Sequence, residues 1–472
     1  MTPARQQAAE FHDRAVSGQD TDDQRYRLFI SAVGVDPDFA RGWFTLGHKL
    51  GEMGLLAASL AAYRRALECP VDGEPGSRDA TMTAQCWCNI ALRQHHLGDP
   101  DAEESALRCV ALDPGMAFGY TNLAMIYSRQ GRHGEAITAA RKAWKLGPEK
   151  PENELGLGFA LMFGGHYAEG LERFEARFDY KLTGYKSWPY PKWDGANTGT
   201  LIVVSEQGFG DAVSMARFIP AAAQRVKRLL FVVQPELVKL LGKALVSIAP
   251  NVQVLPYLKD FPQADAWTAV GSLPTSLGLT DEEIRDATGL PVPRLHAPFG
   301  WALPGRRFRI GIAWAGSAAN DIDKWRSLPS PEPFLALYRV PGVELYSFQF
   351  GKPAEALHTG GSVSLIRDLQ PWIKDAADSA AILAQMDLVV TVESFLGHLA
   401  GFMGAPCWVL YSKNGQDWRL GSNAEAVLWY ERHQIFQQGS DAAWGPVFER
   451  VIAALSETVA LKGYNDVRNA AD

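Results

Sequence analysis

Residues 201–220 read Leu-Ile-Val-Val-Ser-Glu-Gln-Gly-Phe-Gly-Asp-Ala-Val-Ser-Met-Ala-Arg-Phe-Ile-Pro, and their pattern decides the kind of fold that follows. Leu201 to Val204 form a short β-branched apolar run, the pattern of a buried parallel strand. Gly208 and Gly210 permit a tight turn with exposed amides, and Ala212, Met215, Ala216 and Ile219 then recur at helical spacing. A glycine turn between strand and helix attracts anions, because free amides and the helix dipole favour negative charge. Asp211 stands at that same place, so the stretch predicts a carboxylate that takes a proton beside a phosphorylated ligand. The plainer alternative is a structural turn with Asp211 as helix cap. The stretch is not a dinucleotide fingerprint. Val213 occupies the place of the third glycine, and Glu236, after the next strand, is not cleanly placed for a ribose.

At 472 residues the chain exceeds what one core usually supports, so two or three domains are expected. Hydrophobic content of 47% and charged content of 21% are those of a soluble globular protein. A net charge of -7 without a long basic run argues against a general nucleic-acid binder. No apolar stretch is long enough to span a bilayer, and the first residues lack a signal core, so a cytoplasmic location is expected. Cys69, Cys86, Cys88, Cys109 and Cys407 are too scattered for a disulfide framework. Cys86 and Cys88, two apart on a helix, do not face the same side, so buried thiols are expected there rather than a metal pair.

Before residue 180 the sequence repeats. Trp43, Leu46, Gly47, Leu50, Gly54, Tyr63, Ala66 and Pro70 form one unit; Tyr120, Leu123, Ala124, Tyr127, Gly131, Ala136, Ala140, Ala143 and Pro148 form another with the same internal spacings. Units beginning at Trp87 and Leu157 complete the set, an insertion at Pro70–Arg78 separates the first two, and residues 3–36 read as a degenerate capping unit. The pattern resembles the tetratricopeptide repeat, a helix–turn–helix with a period of about 34 residues. Stacked units bury their apolar faces against one another as a curved solenoid, whose concave face suits a protein partner; a spacer or dimerisation arm is the plainer alternative.

The stretch Trp188-Pro-Tyr-Pro-Lys-Trp-Asp-Gly195 breaks the repeat and reads as a junction packed against the next domain. Strands are expected at 201–204, 229–233, 252–255, 308–314, 343–349, 387–392 and 406–411, alternating with helices as parallel sheets require. The Pro- and Gly-rich stretch 291–307 marks a boundary between two lobes.

Three blocks then carry a resemblance: Ser205–Pro220; Gly311-Ile-Ala-Trp-Ala-Gly-Ser with Lys324-Trp-Arg-Ser-Leu-Pro; and Asp387-Leu-Val-Val-Thr-Val-Glu-Ser-Phe-Leu-Gly-His-Leu-Ala-Gly with the Gly-Ala-Pro that follows. The chain resembles bacterial tetratricopeptide-repeat glycosyltransferases, whose catalytic part is similar to lipopolysaccharide heptosyltransferases and, more remotely, to O-linked N-acetylglucosamine transferases. The fold class this implies is an α-solenoid (1–178), a junction (179–198) and an α/β GT-B pair of Rossmann-like lobes, 199–300 on the acceptor side and 301–472 on the donor side. The implied reaction is metal-independent, inverting transfer of a sugar from a nucleotide-diphosphate donor to a protein hydroxyl. Flagellin or another surface protein is a candidate acceptor by family analogy. The alternatives are a glycolipid or polysaccharide acceptor, or a non-catalytic scaffold with a degenerate sugar-nucleotide module.

By the resemblance, Asp211 matches the general base, and Glu206, Gln207, Gly208 and Gly210 would line the first-lobe side of the cleft. Gly316, Lys324, Arg326, Glu393, Ser394 and His398 would contact the donor, with no further cofactor. Relatives commonly have Asp where this chain has Glu393 and a small residue where it has Phe395, departures that would narrow donor choice or mark lost catalysis. Asp321-Ile-Asp323 imitates a metal-binding acidic pair but lies in the second lobe beside Lys324 and Arg326, so no metal is expected. Asp417-Trp-Arg419 and Trp429-Tyr430 resemble a family stretch that follows the donor block, but packing of the terminal helix, 447–461, back onto the domain is the plainer reading.

Overall fold

The computed structural model describes residues 2–71, 78–180, 188–257, 262–287, 307–317, 323–413, 417–420, 429–439 and 442–462, and the Lys324 side chain is not among the described parts. The middle of the 70–78 insertion, most of the 291–307 boundary and Asp321 lie outside the described residues. The chain divides into two compact units, Met1–Ala160 and Leu161–Asp472.

The first unit is a run of helical hairpins: α1 (Pro3–Val16) with α2 (Asp22–Val35), α3 (Ala40–Glu52) with α4 (Leu56–Glu68), α5 (Ala80–Leu97) with α6 (Ala102–Leu112), and α7 (Ala117–Arg129) with α8 (His133–Leu146), followed by the start of α9 (Pro151–Phe163). Gly54, Gly98 and Gly131 hold φ near +75° at the turns inside three of these hairpins, a backbone region that side-chain-bearing residues rarely adopt. The repeat period is written into the hydrogen bonds. Asn122 Nδ2 donates to the Cys88 carbonyl and Arg93 Nε to Ser59 Oγ, each pair 34 residues apart. Cys69, Cys86, Cys88 and Cys109 are buried free thiols of this packing, as the sequence led us to expect.

The second unit opens with α10 (Tyr167–Phe174) and a 3-10 turn, Glu175–Phe178. Its first sheet contains β1 (Thr198–Val204), β2 (Val226–Val233), β3 (Val252–Pro256) and β4 (Ala266–Ala269) in the order β3-β2-β1-β4, all pairs parallel. Around it lie α11 (Phe209–Met215), α12 (Ile219–Ala223), α13 (Val238–Leu245), α14 (Leu273–Leu277) and α15 (Asp281–Arg285). The aromatic junction packs as expected. Trp193 N donates to the Trp267 carbonyl at 2.7 Å and Trp267 N to Pro191, so the segment runs beside β4.

The second sheet comprises β5 (Phe308–Ala313), β6 (Val343–Ser347), β7 (Ile366–Asp368), β8 (Leu388–Val392), β9 (Cys407–Tyr411) and β10 (His433–Gln437), in the order β10-β9-β8-β5-β6-β7 and again all parallel. Its helices are α16 (Asp323–Arg326), α17 (Glu355–Thr359), α18 (Ala376–Leu383), α19 (Phe395–Phe402) and α20 (Gly445–Leu461). One apolar cluster reaches from Leu201, Phe231 and Val233 of the first lobe to Val389, Leu399 and Val409 of the second. All the strands expected from the sequence form; β4, β7 and β10 are additional. In each sheet the strand order reverses once, between β1 and β4 and between β5 and β8, and the crevice outside those carboxyl ends is where open α/β sheets bind ligands.

Helix approach in the first unit depends on residues without bulk. A Cβ built on Gly119 would lie 2.7 Å from Val110 Cγ1 and 2.8 Å from Cys109 Sγ. Gly119→Val should therefore lower the unfolding free energy by about 1–3 kcal/mol, the usual cost of overpacking. Urea denaturation checks this, and an unchanged midpoint contradicts it.

Candidate functional site

The carboxyl ends of the two sheets line one cavity of about 1400 Å³ within the second unit, larger than most single-ligand pockets. From the first lobe it receives Gln207, Gly208, Gly210 and Asp211; from the second, Gly316, Arg326, Glu393, Ser394 and His398. The structure thus brings most of the sequence-predicted residues to one space, although their sequence separation approaches 200 residues.

Asp211 lies in the first turn of α11, where one carboxylate oxygen accepts from Gly208 N at 3.0 Å. It is both a helix cap and a cavity residue, because Oδ1 points to the other wall and meets Arg419 Nη1 at 2.9 Å. Gln207, just before it, carries a φ of 61°, uncommon for a residue with a side chain. Gly210 is required by close approach: a Cβ there would sit 2.5 Å from His398 Cδ2. Phe209 and Phe395 meet edge to face beside it, with ring centroids 5.6 Å apart. The amino ends of α11 and α19 therefore converge from opposite lobes.

Glu206 does not line this cavity. Its carboxylate is buried and accepts from Arg177 Nε and Nη2 at 2.9 and 2.8 Å and from Gly271 N at 3.1 Å. Arg177 is itself 1% exposed, and also binds Glu175 and Ser272. Burial works against the Arg177 charge, but Glu206 and Glu175 outweigh it and raise the guanidinium above its ordinary value. The chain's own ion pair thus fills the switch-point crevice of the first sheet. Arg177 follows α10 and lies 29 residues before Glu206, a partner that local sequence pattern does not reveal.

At the switch point of the second sheet the crevice stays open. Gly316 N donates to Asp323 Oδ1 and Ser327 Oγ, each at 3.0 Å, and a Cβ on Gly316 would strike Asp323 and Arg326. Asp323 Oδ1 also accepts from Arg326 Nε, so this acid is committed to the turn and to its neighbour. Among the described residues no group of three or more His, Cys, Asp or Glu side chains gathers as a metal-ligand set. Arg326 reaches Glu393 Oε1 at 2.6 Å. The other oxygen, Glu393 Oε2, is buried with no hydrogen-bond partner among the described residues. Burial, with the nearby Asp417 charge, pushes the Glu393 carboxyl up to about 7, and Arg326 opposes this.

Ser394 is the N-cap of α19, yet its hydroxyl makes no cap; it pairs with Thr391 Oγ1 at 2.9 Å. The first-turn donors of α19 thus receive no acceptor from that residue, leaving an electropositive helix end at the cavity. His398, one turn on, lies between Tyr430 OH, 3.0 Å from Nδ1, and Asp417 Oδ2, 3.4 Å from Nε2. Burial, aided by Arg419, holds the imidazole below its ordinary value against the opposing pull of Asp417.

Asp417, Arg419 and Tyr430, read from sequence as packing, are buried parts of this network. Lys352, Lys374 and Phe350 also line the cavity from loops after β6 and before α18, with no motif to announce them.

Comparison with known proteins gives one family match, within the helical hairpins. Residues 119–149 match the tetratricopeptide repeat family model. The chain is 26% identical over 461 residues to Protein FlbA of Caulobacter vibrioides, covering 91% of this chain and 69% of that protein. Among solved structures, a crystal structure of MamA is similar at 18% identity and a TM-score of 0.31, over 40% of this chain and 100% of that one. A tetratricopeptide-repeat protein, YrrB, described as having an unusual peptide-binding site, shows 14% identity and a TM-score of 0.28 over 38% and 88%. The chain carries a tetratricopeptide-repeat match among its helical hairpins, followed by a parallel-sheet α/β region. Among the described residues no helix is long and apolar enough to cross a membrane.

Glu393 supplies a pH signature. It ionises at higher pH in the folded protein than its ordinary 4.5, so between that value and about 7 the unfolded chain binds fewer protons. Its contribution to stability then falls as pH rises through the window. Glu393→Gln should flatten that decline, measured as the urea midpoint from pH 4.5 to 7.5; an identical slope in both proteins contradicts the assignment.

Proposed function

We propose that the second unit is a GT-B glycosyltransferase that moves a sugar from a nucleotide-diphosphate donor to a hydroxyl of a protein held by the repeats. The observation that carries this reading is the single cavity in which the Asp211 carboxylate, from one lobe, faces the uncapped amino end of α19 from the other. Arg177 and Glu206 occupy the β1–β4 switch point of the first sheet, so the nucleotide is assigned to the second lobe, with the diphosphate at the α19 amides.

In this reaction Asp211 takes the proton of the acceptor hydroxyl. The acceptor oxygen forms its bond to the anomeric carbon as the carbon–oxygen bond to the diphosphate breaks. The bonding pair leaves with the diphosphate, and attack from the opposite face inverts the anomeric centre. Both buried arginines at the cavity are paired with acids, so the α19 amide donors and Lys352 of the loop after β6 are assigned the leaving charge. No metal is assigned. Repeat arrays act as protein-binding scaffolds, which favours a protein acceptor over a lipid.

Saturating UDP, GDP or dTDP should raise the melting temperature, since a ligand at 100 times its dissociation constant adds about 2.7 kcal/mol. Asp211→Asn should keep that shift and lower sugar transfer at least about a hundredfold, the low end for loss of a general base. Donor binding without turnover in the wild type would instead support a scaffold, and near-normal turnover in the variant would remove Asp211 from the role.

A further inference from the structure

We propose that Arg419 is a positioning residue for Asp211, holding the base in place from the opposite wall of the cleft. The inference rests on the glycosyl-transfer reading for the meaning of Asp211, but its geometry stands by itself. Arg419 follows β9 in the second lobe, and its guanidinium crosses to α11 of the first. Nη1 donates to Ser214 Oγ at 2.7 Å and lies 2.9 Å from Asp211 Oδ1, so one nitrogen grips two residues a turn apart. Nε faces both oxygens of Asp417 at 2.8 and 3.0 Å, and the Arg419 amide also donates to Asp417. The fork is therefore fixed at its own end before it reaches α11.

This arrangement differs from an incidental surface pair, because Arg419 is 9% exposed in its side chain and Asp417 4%. An arginine so deep needs two acids to offset its desolvation, and one of them is the proposed base. Asp211 oxygens are then oriented by two donors from different directions, Gly208 N within its own turn and Arg419 across the cleft. Glu393 and His398 on the second-lobe wall, Tyr430 behind His398, and Arg217 and Tyr411 beside Arg419 are the other charged and titratable groups around the pair. A carboxylate gripped this way keeps a lone pair for the acceptor proton but cannot swing out of line. Misplacement by about an ångström costs about a hundredfold in rate, so positioning is worth as much as the base itself.

The test uses the full chain with Arg419→Gln, Arg419→Lys, Asp211→Asn and the double variant Arg419→Gln/Asp211→Asn. Donor hydrolysis is followed with UDP-N-acetylglucosamine, UDP-glucose and GDP-mannose, and urea unfolding is measured in parallel. Arg419→Gln should lower kcat by about thirty- to a hundredfold with KM within about threefold. Arg419→Lys, which keeps charge but not the fork, should recover part of that loss. The double variant should be no slower than Asp211→Asn, since the two act as one unit. A raised KM with kcat intact would make Arg419 a donor contact and overturn the proposal, as would unchanged kcat. The urea cycle reads the pair without any turnover: coupled losses support it, and additive losses overturn it. A wild type that neither binds nor cleaves nucleotide sugars overturns the glycosyl-transfer reading, while the urea cycle still decides whether Arg419 holds Asp211.

Discussion

The site depends on an arginine that cannot be buried alone. Arg419 sits between Asp417 of its own lobe and Asp211 of the other, and burial disfavours its charge unless both acids stay close. These acids hold the guanidinium well above its ordinary value, and Asp417 is held below its own by the same pairing. The constraint runs outward from there. His398 must fit against Asp417 and Tyr430, and only a glycine at position 210 lets α11 come close enough to His398. The first turn of α11, which could be a simple cap, is thereby fixed by the second lobe as well as by its own backbone.

Two electrostatic designs lie side by side in this unit and do different things. Around Arg177, Glu206, Glu175, Ser272 and the Phe174 carbonyl use up the donors of a buried guanidinium at the β1–β4 end of the first sheet. Around Arg326, one oxygen of Glu393 is engaged and the other is buried at the cavity without a partner among the described residues. A satisfied network rigidifies; a partly satisfied one in a cavity marks a place where a ligand group or water supplies the missing bond.

Much of this fold is legible in the sequence because its signals are local. The run Leu201–Val204 is a fully paired inner strand, and the glycine turn after it behaves as its residues dictate. The hairpin turns at Gly54, Gly98 and Gly131 need positive φ, and the repeat spacing exposes them. What escapes is short or distant. β7 spans Ile366–Asp368 and β10 pairs along one edge only, so neither carries the apolar run of an inner strand. Glu206 follows an inner strand as a cleft residue would, but its partner comes from the turn after α10. Arg419 meets Ser214 across 205 residues of sequence, and no periodicity records such a pair.

The asymmetry between the lobes gives the proposed chemistry its direction. A parallel sheet offers ligands one crevice, and a second sheet of the same kind offers a second one. Here Arg177 and Glu206 occupy the β1–β4 end of the first, and that lobe meets the cavity through its glycine turn, with Asp211 on it, and through Gln234, Glu236 and Tyr257 after β2 and β3. The second lobe keeps its crevice and adds an uncapped helix end. On the proposed reading, a nucleotide diphosphate takes its donors from the second lobe and meets the carboxylate of the first. Carboxylate and diphosphate repel, so they must flank the reacting carbon from opposite sides. That separation is the arrangement an inverting displacement requires, and the cross-cleft grip of Arg419 keeps the carboxylate on its side.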